Sequence, residues 1–159
     1  MRPPDLRLDH VVFPVRDAAR TLAFYRDFLE LPLVEAHSGD DWDGYPWLMM
    51  IFGLDGGGEL VTVALAGAPA PDYSGLPIDV RHYALAAQSR SQLDRWRERL
   101  AAAGLHYWEE QHGERCSLYF PDPDGVVLEL TWPPSHATAA INLDAALTVE
   151  RWMKEAAPA

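Results

Sequence analysis

Residues 116–132, CSLYFPDPDGVVLELTW, decide how this chain is read. Cys116 to Phe120 reads as one strand. Pro121-Asp122-Pro123-Asp124-Gly125 is a tight turn, and Val126 to Trp132 is a second strand. Glu129 stands in the middle of that last strand, between Leu128 and Leu130. An ionised carboxylate among apolar neighbours needs a partner. Working backwards from this hairpin, Leu105 to Glu109 reads as a strand and residues 110–114 as a turn. Before them a helix runs from a cap at Ser89 or Ser91 to about Ala103. It carries Leu93, Trp96 and Leu100 on one face, and Gly104 stands where a helix-terminating glycine belongs. Val80 to Ala86, VRHYALA, is a strand with His82 near its start.

The same order occurs once already. Leu8 to Val15, LDHVVFPV, is a strand holding His10, and Asp17 caps a helix from Ala18 to Leu29 that Pro32 ends. Val34 begins a second strand, residues 37–46 (HSGDDWDGYP) read as a loop, and Trp47 to Phe52 is a third strand. After the glycine-rich turn 54–58, Glu59 to Leu65 is a fourth. The chain is therefore read as one domain of two βαβββ modules, 8–65 and 80–132. A Pro/Gly/Ala-rich linker, 66–79, joins them. Residues 133–159 follow as an extension whose Ile141, Leu143, Leu147, Val149 and Trp152 predict an amphipathic C-terminal helix that packs on the domain or on a second subunit. His10 and His82 hold the same place in the two first strands. Aligning Gly58 with Gly125 sets Thr62 opposite Glu129.

Bulk properties narrow the function. The chain has 159 residues, 48% hydrophobic and 23% charged, enough for a core. A net charge of −11 argues against nucleic acid as a partner. No segment is long and apolar enough to span a bilayer, and the N-terminus has no signal-like apolar run, so a cytoplasmic location is expected. The single cysteine, Cys116, forms no internal disulfide and is read as a small packed residue.

LDHVVFPVRDAARTLAFYRDFLELPLV in the first module, and RHYALAAQSRSQLDRWRERLAAAGL with SLYFPDPDGVVLELTW in the second, resemble the vicinal oxygen chelate superfamily. FYRDFLELPL and YFPDPDGVVLEL carry the resemblance most specifically. That group includes glyoxalase I, extradiol ring-cleaving dioxygenases, fosfomycin-resistance transferases, methylmalonyl-CoA epimerase and bleomycin-binding proteins. The resemblance implies an α+β fold in which two βαβββ modules form a curved, eight-stranded half-barrel. It also implies one divalent metal ion held by His10, His82 and Glu129. Two imidazoles and one carboxylate leave positions open on an octahedral ion, which suits Fe(II), with Mn, Zn or Ni as alternatives. A substrate then binds through two neighbouring oxygens, whose developing charge the ion stabilises. Glyoxalases and epimerases commonly add a fourth ligand on the fourth strand, where the glycine alignment gives Thr62. A three-ligand set therefore points to an extradiol-dioxygenase-like enzyme acting on a small oxygen-rich molecule. The competing readings are a glyoxalase-like lyase or isomerase, a transferase acting on fosfomycin, and a metal-free drug- or metabolite-binding resistance protein.

Tyr119, just before the PDPDG turn, is the candidate proton donor. Arg115, His112, Trp42 and Thr62 are candidates for substrate contact, with His37 and Tyr45 beside Trp42 as one wall of the cleft. Asp122 and Asp124 belong to turn geometry. A homodimer is expected, including a swapped form in which His10 of one chain joins His82 and Glu129 of the other.

Overall fold

A computed structural model describes residues 9–69, 78 and 80–134. The predicted C-terminal helix and most of the linker lie outside the described residues. Within them, each half of the chain builds one four-stranded sheet. The first comprises β1 (His10–Val15), β2 (Leu33–Trp42), β3 (Tyr45–Gly53) and β4 (Glu59–Leu65), in the spatial order β1-β4-β3-β2. The second comprises β5 (His82–Ala86), β6 (Trp108–His112), β7 (Arg115–Pro121) and β8 (Val127–Trp132), in the order β5-β8-β7-β6. The first strand of each sheet pairs in parallel with the last, and the remaining pairs are antiparallel. The duplicated βαβββ plan is present. None of the helices is long and apolar enough to cross a membrane, among the described residues.

The helices form where capping and periodicity predict. Asp17 accepts hydrogen bonds from the amides of Ala19 and Arg20, at 3.0 and 3.1 Å, and opens α1 (Ala18–Leu22). The helix then widens into a π-helical segment, Ala23–Phe28, a form used in short pieces. Ser89 accepts from the Gln92 amide at 3.1 Å and opens α2 (Arg90–Ala102), and Gly104 closes it at φ 66°.

The boundaries depart most from the sequence reading at two places. Residues 37–42 are not loop but the outer half of β2, a ten-residue edge strand exposed along nearly all its length. Having no buried face, it carries no alternation to betray it. Asp43 and Gly44, at φ 54° and 91°, form the two-residue turn into β3, a combination suited to a hairpin's positive-φ corner. In the second module β6 begins at Trp108 rather than Leu105 and runs on to His112.

Both helices cover the same side of the sheets. Leu93 and Leu100 of α2, and Phe24 and Tyr25 of the first helical segment, join Phe13, Phe52, Leu60, Leu118, Phe120 and Leu128 in one core. The modules are tied by aromatic contacts, with the Phe13 and Tyr83 rings stacked at 5.1 Å. A buried hydrogen bond from the Tyr25 hydroxyl to Asp122 Oδ2, 2.8 Å long, adds a second tie. The opposite side of each sheet is turned away from the helices and is called here the open face.

Strand register corrects the place of Thr62. His10 pairs with Glu59, and His82 pairs with Val127. With the histidines superposed, Glu59 matches Val127, and Val61 rather than Thr62 matches Glu129. The second module carries one more residue between its turn glycine and this register point. A one-residue slip sends a side chain to the other face. Thr62 pairs with Phe13 and Met50, both core residues, and is completely buried on the helix side. It is turned away from the open face.

Candidate functional site

The open face of the second module is polar where its other face is apolar. Along β7 and β8, Leu118, Phe120, Leu128 and Leu130 belong to the core, while Ser117, Tyr119, Glu129 and Thr131 alternate with them. All four are buried, Glu129 at 6% exposure. A carboxylate that deep is retained only with partners for both oxygens, and Glu129 has them. Its Oε2 lies 3.0 Å from His82 Nε2 on β5, and its Oε1 accepts a 2.5 Å hydrogen bond from the Ser117 hydroxyl. Ser117 in turn lies 2.9 Å from the Thr131 hydroxyl. The serine donates to the carboxylate, an arrangement that holds the carboxylate in place and differs from the serine–imidazole pair of a nucleophilic triad.

Tyr119 sits beside this pair, its ring edge-on to His82 with centroids 5.5 Å apart. Trp108 of β6 stacks flat on its other side, 5.4 Å between centroids with the planes 12° apart. Burial and the negative charge of Glu129 push the Tyr119 phenol above its ordinary range. Tyr119 is therefore held as the neutral phenol, a hydrogen-bond donor. Farther out, Arg115 pairs in register with His112, whose Nε2 lies 3.0 Å from Glu110 Oε2. Alternation puts Arg115 and His112 on the same face as Tyr119 and Ser117.

The remaining predicted residues belong to the first module. His10 lies on its open face, opposite Glu59 in register, with Nδ1 2.7 Å from Asp9 Oδ2. Trp42 stands at the far end of the β2–β3 hairpin, edge-on to Trp47 at 5.6 Å. His37 pairs with Glu35 at 3.0 Å. The open face between them is apolar: Val12, Trp47, Met49, Ile51, Val61 and Val63 share it by register.

The structure thus brings His82, Glu129 and Tyr119 together and leaves His10 apart. Among the described residues, no three His, Cys, Asp or Glu side chains converge closely enough to hold a metal ion. A single chain presents two of the three expected donors in contact, on one face, and the third on the other module. The donor types of the contacting pair, an imidazole nitrogen and a buried carboxylate oxygen, fit a divalent transition metal. Ser117, Thr131 and Trp108 escaped the sequence reading. The alternation Ser117-Leu118-Tyr119 against Glu129-Leu130-Thr131 is the signal that marks the first two.

The comparisons agree with this architecture. The profile of the Glyoxalase/Bleomycin resistance protein/Dioxygenase superfamily matches residues 7–130. Among solved structures, a glyoxylase/bleomycin resistance protein/dioxygenase domain from Frankia sp. EAN1pec is 25% identical. The match covers 79% of this chain and 96% of that one, with a TM-score of 0.65. A fosfomycin resistance protein, FosX, from Listeria monocytogenes is 22% identical over 79% of this chain and 92% of its own, with a TM-score of 0.57. A lactoylglutathione lyase from Agrobacterium tumefaciens is 20% identical over 82% of this chain and 95% of its own, with a TM-score of 0.55. No curated protein matches the chain. With its duplicated βαβββ sheets and a match spanning both, the chain belongs to the Glyoxalase/Bleomycin resistance protein/Dioxygenase superfamily.

Proposed function

We propose that the protein is a divalent-metal-dependent enzyme that binds a small oxygen-rich substrate through two adjacent oxygens, and that its chemistry is extradiol-dioxygenase-like. The observation that carries this reading is the buried Glu129 carboxylate meeting the His82 imidazole at 3.0 Å on the open face. In this reading His82 and Glu129 supply two ligands, and His10 of the partner subunit supplies the third in a homodimer whose open faces meet. Fe(II) suits three protein ligands of this kind, and Mn(II) is the nearest alternative. A FosX variant of the same fold has been solved with Mn(II) and dihydroxypropylphosphonic acid, which supports a divalent ion.

Val61 favours the dioxygenase-like reading over a glyoxalase-like one. It stands where the first module would need a Glu or Gln to add a fourth protein ligand. The apolar wall of Trp47, Met49 and Ile51 suits a ring-shaped substrate body and excludes water. A phosphonate substrate is less well served by a chain of net charge −11.

When bound, the ion supplies Lewis-acid stabilisation of negative charge on the two substrate oxygens. The chain's own groups do the rest. Tyr119 donates its phenolic proton in a hydrogen bond to a substrate oxygen, Trp108 fixes the plane of that ring, and Arg115 and His112 form the polar outer rim.

Mixing two inactive variants tests the shared site. A His10→Ala chain is combined with a His82→Ala/Glu129→Ala chain, and bound Mn(II) and oxygen uptake on catechols and on 2-oxo aldehydes are measured. Random pairing makes half the dimers mixed, each with one intact site of two, so about a quarter of wild-type binding and uptake returns. Uptake with catechols alone supports the dioxygenase-like reading. A wild-type protein that binds no divalent metal refutes the whole proposal.

A further inference from the structure

We infer that Ser117 is a positioning residue for the metal-binding carboxylate, backed by Thr131. The inference rests on the reading of His82 and Glu129 as ligands. Three buried oxygens lie in a row across β7 and β8: Thr131 Oγ1, Ser117 Oγ at 2.9 Å, and Glu129 Oε1 at 2.5 Å from Ser117. A carboxylate only accepts, so the Ser117 hydroxyl is the donor to Glu129, and its other close contact is the Thr131 oxygen, toward which the same hydroxyl is also directed. The row is rigid, because Ser117 and Thr131 are direct register partners and Tyr119 and Glu129 are the next open-face pair along the same two strands. Ser117 is wholly buried and Thr131 nearly so, and a charge-assisted bond this short is strong.

The consequence concerns which oxygen is available. Oε1 is engaged on the β7 side, and Oε2 is left facing His82. Glu129 is thereby held as a one-oxygen donor in a fixed rotamer. Without the serine, Oε1 loses its 2.5 Å donor, and the carboxylate is no longer held in this rotamer. Partners of this outer kind are typically worth about 10–100-fold in metal affinity.

The test is Mn(II) titration of the full-length chain as wild type, Ser117→Ala, Ser117→Thr and Thr131→Val, with thermal unfolding of each metal-free protein alongside. Ser117→Ala is expected to weaken Mn(II) binding by about 10–100-fold. Ser117→Thr, which keeps the hydroxyl, restores most of it, and Thr131→Val shows a smaller loss in the same direction. A merely structural serine would lower the unfolding temperature and leave Mn(II) affinity at the wild-type value, and that result overturns the inference. Should Ser117→Ala not fold, Thr131→Val decides, and unchanged affinity there overturns the inference. A wild type without Mn(II) binding instead overturns the functional reading, and this inference with it.

Discussion

Replacing Tyr25 with Phe removes one oxygen from the centre of the molecule. Tyr25 is wholly buried and Asp122 is 5% exposed, and their 2.8 Å hydrogen bond joins segments 97 residues apart. The ring stays, so no cavity beyond the hydroxyl opens. Asp122 Oδ1 keeps the amides of Asp124 and Val126, each at 2.8 Å, while Oδ2 loses the Tyr25 donor. A hydrogen bond to a buried charged group is worth about 1.5–3 kcal/mol, so a loss of about 2 kcal/mol is expected at neutral pH. For a chain of this size that is about 4–8 °C in Tm. The pH dependence gives a sharper check. Burial holds the Asp122 carboxyl above the ordinary aspartate range, although the Tyr25 hydroxyl and both amides pull it down. A raised acid pKa means that the folded state binds the proton more tightly than the unfolded chain. Stability from this group therefore rises as pH falls through the folded-state pKa. Removing the Tyr25 donor raises that pKa further. The variant should lie farthest below wild type at high pH, and the gap should narrow on acidification toward the ~1 kcal/mol of a neutral hydrogen bond. Urea unfolding followed by tryptophan fluorescence, stepped from about pH 8 toward the aspartate range near 4, measures it. A gap constant with pH, or below about 0.5 kcal/mol throughout, refutes the reasoning.

Other outcomes follow from the same contacts. His82→Ala should abolish stoichiometric metal binding while far-UV circular dichroism stays native. Correspondingly, chelation of loaded wild type should remove about 2.7 kcal/mol if the ion had been held at a hundred times its Kd. Gly39→Ala sets a Cβ 2.6 Å from the Trp47 indole nitrogen. It should cost about 1–3 kcal/mol in urea titrations and shift the Trp42–Trp47 signal in near-UV circular dichroism. Ser89→Ala removes the cap of α2 and should lower stability by about 1 kcal/mol, with Ser89→Asp retaining it in thermal melts.

What could be read from the chain depended on whether a residue's meaning was local. The module order was legible because caps, turns and β-branched runs are short-range signals: Asp17, Ser89, Gly104 and the PDPDG turn all act within a few residues. The outer half of β2 was not legible, because an edge strand exposed on both faces needs no apolar alternation, and its DDWDG run resembles a loop. The Asp43-Gly44 corner was the available clue. The role of Asp122 was only half visible. Its backbone-directed Oδ1 belongs to the turn, but Oδ2 answers to a tyrosine in the other module, and no local pattern announces that partner.

Register is where the glycine alignment went astray, and the reason bears on function. Gly58 and Gly125 look equivalent, yet β4 begins one residue after the first and β8 two residues after the second. Because side chains alternate, that single residue exchanges Thr62, which faces the core, for Val61, which faces the open side. The histidines escape this error because both occupy the first position of their strands, and the buried Phe13 and the partly buried Leu85 mark the opposite face at the same spacing. The site therefore comes from one duplicated framework used asymmetrically. The second module supplies a carboxylate at the position where the first supplies Val61. The two faces thus differ in kind, one polar with a buried carboxylate, the other apolar at its centre with His10 and His37 toward its two edges. Faces of that kind are complementary rather than redundant, and two copies of the chain that bring them together would form two identical sites instead of one.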